Sequence, residues 1–586
     1  MRFTVFCACL GGLLVATSLG AAEGDKPAEK AKKITLASIA VKDDYPEGTA
    51  GEGLFGEMKP HLRDLVDRLE KAAKDDKING VVLRLREPNI GMGKVDALRA
   101  AVARVRKAGK KVYADVHSAG TKDYLVATAC DEIIMPESGS LMVNGIAAEV
   151  MFFKGLFDKL GIQADFIQVG DFKGAAEPLT RNNMSPEFRA QYESVINDYY
   201  DQIVETIAKD RKLDPTEVKK RIDVGLYSAA EAKEAKLIDR VAYEDQWRDE
   251  LKSELKTEEL AVERDYGRKK AEDLSGMAGM MKLMEALMGG DQKAKSSKNN
   301  KIAIVYIVGP IMTGESTASI FGAQSVGSDT IVKALRQVED DPKVKGIVIR
   351  VDSPGGSALA SDLIWRETVH SKKPVVVSMG DVAASGGYYV SMGAKKIFVE
   401  PGTLTGSIGV VGGKLALRGL FDKIGVNSET ISRGKTSGVL SFTDPFSLEE
   451  REAWKRLMLG TYHQFTSKAA QGRHMDQKKL EGLAQGRVYT DRMAVANGLA
   501  DQLGTLEDAI AEVKTLGGVA ADEKIDLLIL PKPKGILEQL LGGSNVEAEI
   551  RTLVPEMVEA IKLGSQLRKL FAEPAVMIMP YVVRFR

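Results

Sequence analysis

Hydrophobic positions along this chain follow two patterns: short β-branched runs, and longer stretches with apolar residues at every third or fourth position. VVLRL, KVYAD and EIIMP in the first half read as buried strands, and KVDALRAAVARVRKAGK reads as a helix between them. The second half repeats the alternation. KGIVIRVDSPGGS (345–357) is a strand running into glycines, ALASDLIWRETV a helix, and PVVVS (374–378) another strand. Strand, crossover helix and strand in succession predict an α/β fold of mostly parallel sheets.

The two halves also match in detail. KITLASIAV (33–41) parallels KIAIVYIVG (301–309), and DDKINGVVLRLREP (75–88) parallels DPKVKGIVIRVDSP (341–354). GLFDKLGI (155–162) against GLFDKIGV (419–426) sets an offset of 264 residues, which holds without gaps from about 119/383 to 170/434. The chain is therefore a tandem duplication of one α/β domain. The expected layout is an N-terminal copy over 33–273 and a C-terminal copy over 301–586. A Met-rich joint and polar linker (274–300) separates them, and reads as a packed connecting helix or an amphipathic one docked on a partner or membrane. The tail from Gly535 carries another apolar helical stretch and ends AVMIMPYVVRFR, too short and Pro-broken to span a bilayer.

Ahead of the first copy, residues 1–22 form an apolar leader closing in SLGAA, followed by a polar spacer (23–32). This layout predicts a secretory signal cleaved near Ala21 or Ala22, or an N-terminal membrane anchor. Lysine plus arginine equals aspartate plus glutamate at 82 each, so no global field favours nucleic acid. Once the leader is removed, Cys130 is the one cysteine left, which excludes an internal disulfide.

Candidate chemistry centres on MGDVAASGGYY (379–389), where Ser385 sits at a strand-to-helix turn. Such a turn exposes a hydroxyl beside the free amides of a helix start, as acyl-transfer nucleophiles require. A plain helix cap is the alternative reading. Upstream, Gly355 and Gly356 form a second glycine turn at the same predicted sheet edge, so their amides and that of Gly386 are candidate oxyanion donors. The first copy serves as a control. Thr121 stands opposite Ser385, and Pro88-Asn89-Ile90 replaces the glycine turn, so the glycines are not a structural need of the domain.

A nucleophilic serine needs a base. Of His61, His117, His370, His463 and His474, only His370 lies near in sequence, in a charged setting that favours exposure. The other option is a lysine made neutral by burial. Lys173, in VGDFKGAAEP, and Lys435, in SRGKTSGVL, are the candidates; Ser437 stands opposite Lys173, and Asp171 opposite Lys435.

IVIRVDSPGGSALASDLIWRE, MGDVAASGGYYVSMGA, TLTGSIGVVGG and GDFKGAAEPLTRNNMSPE together resemble the signal peptide peptidase A (protease IV) family in its long, tandem-domain form. The resemblance implies a Clp protease/crotonase-like fold and a serine endopeptidase with a Ser/Lys dyad. Ser385 matches the nucleophile, Lys173 the base, and Gly355, Gly356 and Gly386 the oxyanion site. The family's glycine-x-x-lysine spacing fits Gly170 to Lys173 and not Gly434-Lys435. It further implies cleavage of remnant signal peptides or other hydrophobic peptides, export to the periplasmic side of the inner membrane, and a homo-oligomer, expected to be a tetramer. No cofactor, metal or nucleic acid is implied. Two rival readings are a crotonase-like acyl-CoA enzyme and a catalytically inactive membrane-associated scaffold.

Overall fold

A computed structural model describes residues 33–48, 60–268, 299–318, 324–532 and 576–579. The leader, the spacer, nearly all of the Met-rich joint and most of the tail lie outside the described residues.

In the first half, strands Glu259–Glu263, Lys33–Asp44, Gly80–Asn89, Lys111–Val116, Glu132–Met135 and Arg240–Val241 lie side by side in that order, all parallel. Helices cover both faces, so the central strands are apolar throughout rather than alternating. Helix Leu62–Lys74 shows the complementary pattern: Leu62, Leu65, Val66, Leu69 and Ala72 recur on one face and are buried, while charged residues hold the other. Cys130 belongs to this core, where burial pushes its thiol up to about 12.

The second half repeats the order. Strands Asp526–Leu530, Lys301–Val308, Val344–Ser353, Val375–Ala384, Lys396–Val399 and Gln502–Leu503 neighbour one another as their counterparts do. Two mostly parallel α/β sheets with one strand order are the physical form of the sequence duplication.

The halves interlock in two ways. A seven-stranded sheet crosses between them and ends Gly355–Ser357, Val576–Ile578, Val410–Ala416, Gln163–Val169. There the first-half strand Gln163–Val169 runs antiparallel to the second-half strand Val410–Ala416, pairing Val169 with Val410 and Gln163 with Ala416. The second link is ionic. Lys94, on helix Met92–Lys107, reaches Asp352 and Asp381, and the fully buried Arg350 reaches Glu400 and the first-half residue Glu47. Charges this deep need such partners, because desolvation alone would otherwise exclude them.

Candidate active site

Strand Val375–Ala384 is longer than the PVVVS run suggested and delivers Ser385 to its end, where helix Gly386–Ser391 begins. Ser385 adopts φ 56°, ψ −112°, a left-handed backbone that costs a non-glycine residue about 1–3 kcal/mol. The turn is clamped on both sides: the Ser385 amide donates to Gly406 O at 2.8 Å, and Tyr389 N donates to Ser385 O at 2.8 Å. Although Ser385 occupies the cap position, its side chain makes no capping bond. Its Oγ instead lies 2.8 Å from Lys173 Nζ.

Lys173 arrives from the other half of the same chain. Gly170, at φ 109°, lets the segment turn against Gln485, and Phe172 N donates to Gln485 O at 2.9 Å. A Cβ on Gly486 would fall 2.7 Å from the Lys173 Cα, so the backbone of the second half is cut away where the lysine seats. The Arg487 guanidinium stacks on the Phe172 ring, 3.6 Å from its centroid, and closes the seat from outside.

Both Lys173 and Ser385 have 0% exposure. Burial alone holds the Lys173 amine well below the ordinary lysine range, since no carboxylate is among its influences. Lys94 provides the contrast. Burial disfavours its charge too, yet Asp352 and Asp381 raise it above the ordinary value. Carboxylates thus hold one lysine as a cation, whereas burial acts on the other unopposed.

Lys173 Nζ has two further partners, the Ser407 carbonyl oxygen and Ser407 Oγ, each at 2.8 Å. A neutral amine has two N–H donors and one lone pair. In that form Lys173 would match its two donors to the Ser407 oxygens and turn its lone pair to Ser385 Oγ. Ser407 itself sits at φ 54°, with its amide donating to Arg487 O at 2.6 Å. It was not among the residues singled out from sequence, although it lies within TLTGSIGVVGG. The comparison of halves contained the signal, because Val143 stands opposite Ser407 and lacks a hydroxyl.

The glycine turn meets the Ser385 turn closely. A Cβ on Gly386 would lie 3.1 Å from both Gly355 Cα and Gly356 N, and Gly355 and Gly356 have φ of 100° and 157°. The Gly355 amide already donates to Ser353 Oγ at 3.1 Å, which leaves the Gly356 and Gly386 amides as the candidate donors beside Ser385. Gly386 opens a helix, and its N–H has no intrahelical acceptor.

The remaining candidates lie elsewhere. His117, His370, His463 and His474 are exposed, and His61 sits at the start of helix Leu62–Lys74 with its ring against Pro46 O. Lys435 is exposed in the stretch before helix Leu448–Gly472.

A family model, peptidase family S49, matches residues 104–258 and again residues 367–520. The chain belongs to this family. S49 membership makes it a serine peptidase, consistent with a buried serine facing a lysine amine whose charge burial disfavours. The serine protease SPPA, chloroplastic, of Arabidopsis thaliana is 35% identical over 497 residues, which span 84% of this chain and 71% of that protein. Protease 4 of Salmonella typhi is 30% identical over 533 residues, 88% of this chain and 81% of that one. Protease 4 of Haemophilus influenzae is 30% identical over 84% of this chain and 82% of its own length. Among solved structures, a mutant ClpP1 from Listeria monocytogenes aligns with 35% of this chain and 94% of that chain, at 16% identity and a TM-score of 0.24.

Proposed function

We propose that this S49 peptidase is an endopeptidase working through a Ser385/Lys173 dyad, with residues 33–273 supplying the base and 301–586 the nucleophile. The observation that carries the reading is the 2.8 Å contact between Lys173 Nζ and Ser385 Oγ, both of them buried. Ser385 Oγ attacks the scissile carbonyl carbon while Lys173 takes its proton. The Gly356 and Gly386 amides hold the oxygen as it becomes an oxyanion, each donor contributing about 2.7–4 kcal/mol, and Gly355 supplies the close approach. Collapse of the tetrahedral intermediate expels the amine, which takes its proton from the Lys173 ammonium. Water, deprotonated by Lys173, then hydrolyses the acyl-enzyme.

Hydrophobic peptides left at a membrane, remnant signal peptides among them, are the proposed substrates. The apolar leader supports export to the periplasmic side of an inner membrane, with the enzyme anchored or peripheral there. Among the described residues, no helix is long and apolar enough to cross a membrane.

Association into a homo-oligomer, with a tetramer as the expected closed form, is supported by the joint between the halves. Shifted by the repeat offset, the pairing of Gln163–Val169 with Val410–Ala416 becomes one of residues 427–433 with residues 146–152. Both stretches lie outside any ladder among the described residues, and Met151 and Ile431 on them are 67% and 87% exposed. A second chain offers each its matching edge, and repetition of such a heterologous contact closes a ring.

The test is cleavage of a quenched hydrophobic peptide by wild type, Ser385→Ala, Lys173→Ala and Lys435→Ala, each checked for folding. Loss in the first two variants with retention in the third is expected. Activity surviving Lys173→Ala while Lys435→Ala is dead would make the base local to the second half and overturn the split dyad.

A further inference from the structure

An edge strand leaves one row of backbone N–H and C=O groups without a neighbour, and where that row is buried it needs partners. Val488–Thr490 is such a strand. It pairs antiparallel with Leu404–Gly406, setting Val488 opposite Gly406, and among the described residues no strand lies beyond it. A side chain from the other half takes that place. Gln191, on helix Pro186–Arg211, donates through Nε2 to Val488 O at 2.8 Å, and Val488 N donates to Gln191 Oε1 at 3.1 Å. A primary amide presents a donor and an acceptor side by side, so Gln191 extends the ladder by one rung. Gln191 and Val488 are 5% and 1% exposed, which leaves water no room to substitute for either bond.

The backbone that Gln191 holds is the backbone that supports Ser385 and Lys173. The carbonyl of Arg487, one residue before Val488, accepts from the Ser407 amide at 2.6 Å, and Ser407 turns both of its oxygens to Lys173 Nζ. The carbonyl of Gly406, opposite Val488, accepts from the Ser385 amide at 2.8 Å. Gln485 and Gly486, just upstream, shape the seat of Lys173. A shift of Val488 therefore moves the supports of both residues at once. Asp198, two turns further along the same helix face, accepts from Thr490 Oγ1 and the Arg492 guanidinium. It fastens side chains where Gln191 fastens the main chain.

The second half again serves as a control. The two long helices start at the capping serines Ser185 and Ser447, and six residues on from the cap the first carries Gln191 where the second carries Ala453. The helix itself has no need of the amide.

We propose that Gln191 is a positioning residue for the dyad, its amide fixing the Arg487–Val488 backbone and, through it, Ser407 and Ser385. The inference rests on Ser385 and Lys173 being that dyad.

The experiment uses the full chain carrying Gln191→Met, which keeps length and apolar bulk but loses the amide, or Gln191→Glu, each checked for folding by urea denaturation. Cleavage of a quenched apolar peptide is followed in the wild-type and Ser407→Ala backgrounds. Gln191→Met should lower kcat about tenfold or more, with KM within about twofold. In the Ser407→Ala chain the same change should cost less than about threefold, because the Lys173 amine has already lost part of its aim. Gln191→Glu should regain activity relative to wild type as pH falls, since the protonated acid again offers Val488 one donor and one acceptor. Should Gln191→Met fold poorly, that pH dependence carries the test alone. Unchanged kcat in a folded Gln191→Met chain would overturn the proposal and leave the dyad standing. An equal loss in both backgrounds, or a Gln191→Glu chain with no gain at low pH, would also overturn it, because the amide would then serve the fold alone. Cleavage surviving in Ser385→Ala would overturn the dyad, and this inference with it.

Discussion

Lys94 Nζ lies 2.5 Å from a carboxylate oxygen of Asp381, four residues ahead of Ser385 and 287 residues away in sequence. The same ammonium is 3.1 Å from Asp352, on the strand leading into the glycine turn. One first-half lysine thus fixes the relative position of the two second-half strands whose ends form the site. Lys94→Met should leave two partly buried carboxylates without their cation, at a cost below the roughly 3–5 kcal/mol of a fully buried broken pair. Urea denaturation should show this loss, kcat/KM should fall with it, and adding Asp381→Asn should restore part of both.

Lys173 makes stability depend on pH in an unusual direction. Burial lowers its folded-state pKa, so between that value and about 10.4, where a free lysine titrates, the unfolded chain holds one more proton than the folded one. Its contribution to stability therefore rises with pH across the window, by about 1.4 kcal/mol per unit, and is flat on either side. Lys173→Met removes the term. The variant should be inactive yet more stable than wild type at the low end of the window, with the advantage shrinking as pH rises; denaturation series at several pH values would show it. The acid limb of the wild-type kcat/KM profile should fall well below the lysine range.

Ser407 holds the Lys173 amine through two oxygens. Ser407→Ala removes one of the two acceptors that aim the Lys173 N–H groups away from Ser385. An error in amine direction costs about 10²-fold in rate when the rest of the site is intact. Steady-state kinetics should show that loss in kcat with little change in KM, and Ser407→Thr should recover more activity than Ser407→Ala.

Gly386→Ala should be far more harmful than an added methyl suggests. The new Cβ would fall 2.6 Å from Ser361 Oγ and 3.1 Å from Gly356 N, pushing apart the two turns that hold the proposed oxyanion donors. Loss of one donor lowers kcat by about 10²–10³-fold. A peptide-aldehyde inhibitor, which needs the same donors, should bind correspondingly less tightly to a chain that remains folded.

Much of the fold was legible because duplication prints the same strands and helices twice. The candidate site stood out where the copies differ: Ser385 against Thr121, and the glycine turn against Pro88-Asn89-Ile90. What escaped depended on contacts between halves. The strand before Ser385 runs on through Gly380 and Asp381, residues disfavoured in strands, because Lys94 satisfies the carboxylate. Ser407 looked like one small residue in a glycine-rich run, since its value lies in a backbone turn that points two oxygens at a distant lysine. The methionines of AVMIMP carry apolar character but no sign of which edge they pair with.

Lys173 and Ser385 reach each other within one polypeptide, and this decides how defects combine. A chain lacking the lysine and a chain lacking the serine each carry one intact half, yet neither has a complete pair to lend. Mixing or co-expressing the two should give no complementation, even inside a shared ring, because each molecule stands or falls as its own allele. Recovery of activity in such a mixture would mean that halves are exchanged between chains. Without it, activity in a mixed population counts whole wild-type molecules.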